Sequence, residues 1–267
     1  MKSLFTILPL VVTFGCRSDS EIMELDSGGV DTGTMTTTTT EDFSDWEGAV
    51  LEIVSPTANE FIPLGEDYEF EFAMWSAEGE PLDPSELDDV IWSSSADATW
   101  SGFGPEFDDD DLGVGTHTIK ASATLPTGQN VFDAVGGVLV QHENAGTYAG
   151  LVTTSTEADE FQVSCAGGAV MVVDAYGEGS YGEATCYLGF QGQEIELVYQ
   201  FNLEFEENEA GGSVEIMIGS WGIPFDYTGN INDGSVTGEW GGTVSGLADI
   251  VGSLDVERIS RDTSWGN

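Results

Sequence analysis

The sequence predicts an all-β chain organised as two successive domains, a sandwich followed by a glycine-rich antiparallel β-barrel or β-sandwich. Three observations carry this. Apolar and polar residues alternate with a period of two in several separate segments, the spacing of a strand with one face buried. The 3.6-residue periodicity of an amphipathic helix is almost missing. Turn-forming Gly, Asp, Pro and Asn punctuate the alternating segments, and glycine alone contributes 35 of the 267 residues.

The first sixteen residues, MKSLFTILPLVVTFGC, place Lys2 before an apolar run from Leu4 to Phe14, with small Gly15 just before Cys16. A run this short suits a secretory signal rather than a helix that crosses a bilayer. Gly15-Cys16 resembles the lipobox of bacterial lipoproteins, although Thr13 and Phe14 replace the residues usual in that family. The resemblance implies a signal peptide over 1–15 and lipid acylation of Cys16. Arg17 stands where such proteins often carry an aspartate that retains them in the inner membrane. That implies a cell outer membrane location, periplasmic or surface-facing, with secretion as the alternative. Residues 16–47 are rich in Thr, Asp, Ser and Gly and lack apolar periodicity, so a disordered tether is expected. Asp26-Ser27-Gly28 and Asp31-Thr32-Gly33 mimic aspartic protease triplets. That chemistry requires two carboxylates brought together by separate lobes, which a tether does not supply.

Charge narrows the partners. The chain holds 49 acidic and 5 basic residues, for a net charge of −44. Such a chain repels phosphate backbones, so nucleic acid is excluded as a partner. Membrane attachment through a lipid anchor, and contact with an envelope protein or glycan, remain. Between positions 41 and 143 Lys120 is the one base against 24 acids.

The first domain is expected over 48–143. Tyr68, Phe70, Phe72 and Met74 alternate with acidic or small residues, Val90 and Trp92 mark a second strand, and Ile119, Ala121 and Ala123 a third. Ser55-Pro56, Gly65, Trp92 and the closing Gly115-Thr116-His117-Thr118-Ile119 follow the order of bacterial immunoglobulin-like (PKD-like) extracellular domains, which this segment resembles. That resemblance implies a β-sandwich with Trp92 plugging the space between two sheets. The segment Glu106-Phe107-Asp108-Asp109-Asp110-Asp111-Leu112-Gly113 invites a metal reading. An EF-hand loop starting at Asp108 fails, because Leu112 and Ile119 occupy ligand positions. A looser calcium cage from Asp108, Asp110, Asp89 and Asp97 stays open, and calcium is the one cofactor the sequence leaves open. His117 is expected to be structural.

The second domain is expected over 144–261, with a tail at 262–267. Ile195, Leu197, Tyr199, Phe201, Leu203 and Phe205 share one face of a strand whose other face carries Glu194, Glu196, Gln200, Asn202, Glu204 and Glu206. Glycine pairs at 179–182, 234–238 and 241–246 suggest hairpin turns of an up-and-down meander. With Cys16 assigned to lipid, Cys165 and Cys186 remain as a pair behind an export signal, and a disulfide stapling two adjacent hairpins is expected. No nucleophile elbow, zinc helix or phosphate loop is present, and no catalytic residue is assigned. The expected role is therefore non-enzymatic: structural, adhesive or ligand-binding. The alternative is a carbohydrate-active hydrolase or sugar-binding module in the second domain, which calls for paired carboxylates in a cleft lined by Trp221, Tyr227 or Trp240.

Overall fold

Two β-domains follow one another in the computed structural model, which describes residues 43–158, 161–190, 192–244 and 248–264. The expected signal, Cys16 and most of the expected tether lie outside the described residues. A single turn of 3₁₀ helix at Ser44–Trp46 opens the described chain. Trp46 is buried in the sandwich core and Phe43 packs against it, so the folded unit starts before the expected boundary at position 48.

The sandwich has two sheets. In the first, β1 (Val50–Ser55), β3 (Tyr68–Trp75) and β4 (Pro81–Leu82) lie in that order, with β6 (Glu106–Asp109) also paired to β3. The second has the order β2 (Phe61–Pro63), β8 (Asn130–Gln141), β7 (Gly115–Thr124), β5 (Asp88–Ser94), with β2 parallel to β8. Alternation decides what faces inward. Phe70, Phe72, Met74, Trp92, Ile119 and Ala121 are all at most 2% exposed and fill the space between the sheets. Trp92 satisfies its indole N–H on the Gly104 carbonyl at 2.9 Å, so the largest core ring leaves no unpaired donor. The edge of β1 is closed by a side chain: the Ile53 amide donates to the Asp133 carboxylate, 3.0 Å away.

The second domain is a closed barrel, which settles the choice between barrel and sandwich. Its strands are β9 (Gly146–Ala158), β10 (Phe161–Val173), β11 (Gly179–Phe190), β12 (Gln193–Glu206), β13 (Glu209–Ile218), β14 (Trp221–Asn232), β15 (Ser235–Val244) and β16 (Ala248–Ser260). Each pairs antiparallel with the next, and β16 returns to β9 to close the ring. Eight strands leave an interior that side chains can fill. Leu197, Tyr199, Phe201 and Leu203 point into it, as their alternation requires, while Glu194, Glu196, Glu204 and Glu206 face solvent. A barrel that spans a membrane needs the reverse arrangement, with an apolar band outside.

Gly182 and Gly238, expected in turns, lie inside strands instead, as does Gly252, to which the sequence assigned no role. Gly182 sits in β11 beneath Met171, Gly238 in β15 beneath the Tyr227 ring, and Gly252 in β16 beneath the Trp240 indole. A Cβ at any of the three would collide with the side chain above it. Small residues at inward positions thus make room for large ones on neighbouring strands, the condition for filling a narrow barrel. Among the described residues, the turn at Asp233–Gly234, where both residues have positive φ, serves as an expected tight hairpin, while Gly246 lies outside the described residues.

Candidate functional site

The acidic segment is a set of clamps. Asp109, between the two aspartates expected to bind metal, turns inward and accepts the Trp100 indole N–H at 2.8 Å and the Asp111 amide at 3.0 Å. Asp97 accepts from the Thr99 hydroxyl (2.7 Å), the Thr99 amide (3.0 Å) and the Trp100 amide (3.2 Å). The Thr99 hydroxyl above all, then these amides and that of Gly113, hold the Asp97 carboxyl below the usual carboxylate range. His117 is 1% exposed, with Nδ1 at 2.6 Å from Ser94 Oγ and Nε2 at 2.8 Å from the Gly113 carbonyl. Both ring nitrogens are satisfied by the fold. The loop before β7 is thereby stitched to the loop after β5.

The four aspartates expected to cage calcium are not brought together. Asp108 is exposed on β6 in one sheet, Asp89 is exposed on β5 in the other, Asp110 faces solvent, and Asp97 is turned back on its own loop. The period-two pleat explains part of this, since Asp108 and Asp110 point away from the side on which Asp109 is anchored. Among the described residues no group of three His, Cys, Asp or Glu side chains could hold a metal ion.

The barrel interior contains the disulfide. Cys165 on β10 and Cys186 on β11 are bonded, both buried in the lumen. The bridge links the two strands of one hairpin rather than two adjacent hairpins. Tyr199 lies alongside it: its hydroxyl is 3.2 Å from Cys186 Sγ and donates to Thr154 Oγ1 at 2.8 Å. Burial pushes the Tyr199 hydroxyl above its ordinary pKa, so it stays a neutral donor. Tyr227 and Trp240, cross-strand partners in β14 and β15, are also lumen residues. The Tyr227 hydroxyl and the Trp240 Nε1 are buried without a hydrogen-bond partner among the described residues. Two of the three aromatics expected to line a sugar cleft are therefore interior packing. Trp221 is 77% exposed at the start of β14, the strand that carries Tyr227.

A scan against protein-family models and a search of curated proteins find no match. Among solved structures, the fibronectin(III)-like modules of Clostridium thermocellum CbhA align with 17% identity, covering 66% of this chain and 92% of that chain, at a TM-score of 0.27. A TM-score that low carries no argument. The reading below rests on residues.

A groove of about 990 Å³ in the barrel is lined by residues of β11 to β14 and of the turn before β11, Gly211, Gly212 and Gly229 among them. Asp174, Glu178, Glu204, Glu206 and Glu209 rim it, and Phe205 is its one aromatic residue. The joint between the domains is a second special region. Arg258 Nη1 donates to the Glu143 carbonyl, and Arg261 Nη1 reaches the same oxygen at 3.4 Å. Gln141 Nε2 donates to the Arg261 carbonyl at 3.0 Å, and His142 packs on Gly177 while its Nδ1 accepts from the Asn144 amide at 3.1 Å. Two of the chain's five bases thus fasten the last barrel strand to the end of the sandwich. The signal available in the sequence was the scarcity of cations itself.

Proposed function

We propose that this chain is a non-enzymatic, lipid-anchored protein of the cell outer membrane that serves a structural, adhesive or ligand-binding role. The observation that supports the reading most is the filling of the barrel. Tyr148, Tyr199, Phe201, Tyr227 and Trp240 occupy its interior, so the domain presents surfaces to a partner rather than a chamber to a substrate. The fastened joint supports the same reading, because a module that bears load or displays a face gains from having its parts tied together. Attachment through Cys16 is tested by fractionation. The wild-type chain should sediment with outer membranes and Cys16→Ser should appear in the soluble fraction; a variant that remains membrane-bound removes the anchor from the reading.

The alternative, a carbohydrate-active hydrolase, draws on the acidic groove lined by β11 to β14. It requires turnover of an oligosaccharide that Glu204→Gln or Glu209→Gln abolishes without lowering the melting temperature.

A further inference from the structure

The two ends of the barrel are finished differently. Where it meets the sandwich, inward side chains such as Val173, Leu203, Ile231 and Val256 are at most 1% exposed. At the opposite end the ladders between β12 and β13 and between β14 and β15 stop short, at Val198–Met217 and Tyr227–Trp240. The hairpins that form this end stay paired to their last residues, as at Ile218–Trp221 and Val244–Ala248. Cys165 and Cys186 lie just past the last β10–β11 pair, Gly168–Thr185, and tie that seam covalently. The inward positions at this rim are apolar yet incompletely covered. Leu188 stands opposite Ile195, and both are half-buried against the core, as are Ile223 on β14 and Ile250 on β16. Ile218 is 41% exposed, and Trp221, its cross-strand partner, is 77% exposed. Among the described inward side chains of the rim, Thr156 and Gln193 are the polar ones and none is charged. One step deeper, Leu197, Ile216 and Phe225 are at most 7% exposed, so the mouth is shallow and its floor is closed.

We propose that this mouth takes up the alkyl end of a single-chain amphiphile whose head group is positively charged. The inference rests on the ligand-binding part of the role proposed above and is independent of the anchor. Size and charge select the occupant. Eight strands about 4.8 Å apart and tilted about 40° enclose a mouth of roughly 200 Å². A stable protein interface needs about 800 Å² per partner, and a second copy would bring its own net charge of −44. The end of one alkyl chain needs no more than the mouth offers. An anionic head is disfavoured, because no Lys or Arg occurs from position 144 to 257. Arg258 and Arg261 follow, and both are directed at Glu143 at the sealed end. Carboxylates flank the mouth instead. Glu194 and Glu196 bracket Ile195, Asp249 precedes Ile250, and the Glu215 carboxylate lies against Gly222, next to Trp221 in the chain. Glu196 and Asp249 accept hydroxyls from Tyr187 (3.2 Å) and Thr243 (2.5 Å), neutral donors that leave the negative charge uncompensated. The exposed ring of Trp221 adds a cation–π surface for the head, while Ile218 and its neighbours cover the chain.

The test uses the full chain carrying Cys16→Ser, which needs no detergent, titrated by calorimetry below micellar concentrations. The probes are hexyl-, octyl- and decyltrimethylammonium, tetramethylammonium as the head alone, and decyl sulfate. One decyltrimethylammonium per chain is expected, bound at least tenfold more tightly than decyl sulfate or tetramethylammonium. Affinity should rise by up to about fourfold for each added methylene. Trp221→Ser and Ile218→Ser should each weaken binding fivefold or more at an unchanged melting temperature. Leu151→Ser, at an exposed leucine of the outer wall, should leave it unaltered. Glu194→Gln combined with Glu196→Gln should narrow the preference over decyl sulfate. Equal binding of decyl sulfate or tetramethylammonium overturns the inference. So do several weak sites indifferent to Trp221→Ser and Ile218→Ser, which would show surface charge acting alone. In a chain that binds no amphiphile, a dimer dissolved by Ile218→Ser would assign the mouth to a second copy. Attachment of such a chain to neutral phosphatidylcholine vesicles, removed by Trp221→Ser, would assign it to a membrane. Both outcomes overturn the inference. Fractionation of Cys16→Ser decides the anchor separately, so loss of the anchor leaves the inference standing.

Discussion

The guanidinium of Arg261 lies 3.4 Å over the centre of the Phe61 ring, joining the end of the barrel to strand β2 of the sandwich. The contact stands on top of the hydrogen bonds that Arg258 and Arg261 direct at Glu143. Burial, and then the neighbouring positive charge of Arg258, draws the Arg261 pKa below its ordinary value, a sign that desolvation opposes the contact while the aromatic face favours it. A half-buried cation–π pair of this kind contributes on the order of 1 kcal/mol. Arg261→Ala should leave each domain folded but uncouple them. Calorimetry is expected to resolve two transitions in the variant where wild type gives one. A single unshifted transition would show the joint to be inconsequential.

Asp97 holds two loops through hydrogen bonds that only its ionised form accepts fully. Because its folded pKa is depressed, its contribution is present above the unfolded value near 3.9 and is lost as pH falls through the folded value. Asp97→Asn should therefore lower the melting temperature at pH 7, and the difference from wild type should shrink as the pH approaches about 3. A difference that persists undiminished at that pH would assign the effect to packing instead of charge.

Much of this architecture was legible in the residues, and the reason is the strictness of strand alternation. Tyr68 to Met74 and Glu194 to Glu206 each have one sensible buried face, and the structure buries it. What escaped depended on neighbours distant in the chain. Gly182 and Gly238 look like turn residues locally, and only the cross-strand partner reveals each, like Gly252, as the floor beneath a large side chain. The disulfide pairing of Cys165 with Cys186 was readable, but not that both belong to one hairpin facing the lumen. In the acidic run all four aspartates look equivalent. Asp109 is distinguished by Trp100, nine residues away, and the sequence does not announce that partner.

The ladder between β3 and β6 places like charges face to face, which opposes pairing. Glu106 first, and to a lesser degree Asp108 and Glu71, raise the Glu69 pKa. A carboxyl with a raised folded pKa favours the fold at low pH, and that advantage is lost as pH rises through the folded value. Glu69→Gln is accordingly expected to raise the melting temperature at pH 7 in low salt. The gain should vanish at about 1 M salt, where the screening length is about 3 Å. A variant less stable than wild type at low salt would mean that Glu69 makes a favourable contact that outweighs the repulsion.

The bridge between Cys165 and Cys186 spans 21 residues of sequence. Closing a loop of that size in the unfolded chain corresponds to roughly 3 kcal/mol of stability. The double variant Cys165→Ser, Cys186→Ser should lose about that much in denaturant unfolding, and reduction of the wild type should lose a similar amount. Retention of full stability on reduction would indicate that the barrel core alone constrains β10 and β11.

Tyr227 offers the sharpest contrast with Tyr199. Both hydroxyls are buried in the lumen, yet Tyr199 donates to Thr154 while Tyr227 has no partner among the described residues. A buried hydroxyl without a partner costs about 1–3 kcal/mol, whereas removing one that is bonded loses about 1 kcal/mol. Tyr227→Phe is therefore expected to leave stability unchanged or raise it by about 1 kcal/mol, and Tyr199→Phe to lower it. Burial also raises the Tyr227 pKa, as it does for Tyr68, pushed up to about 12. The contribution of such a tyrosine is whole below the unfolded value near 10 and is lost as pH rises above it, because the unfolded chain ionises first. Wild type should thus lose stability between about pH 10 and 12, and Tyr227→Phe should lose less. Tyr227→Phe that is destabilised at pH 7 as much as Tyr199→Phe would mean that the hydroxyl is bonded after all.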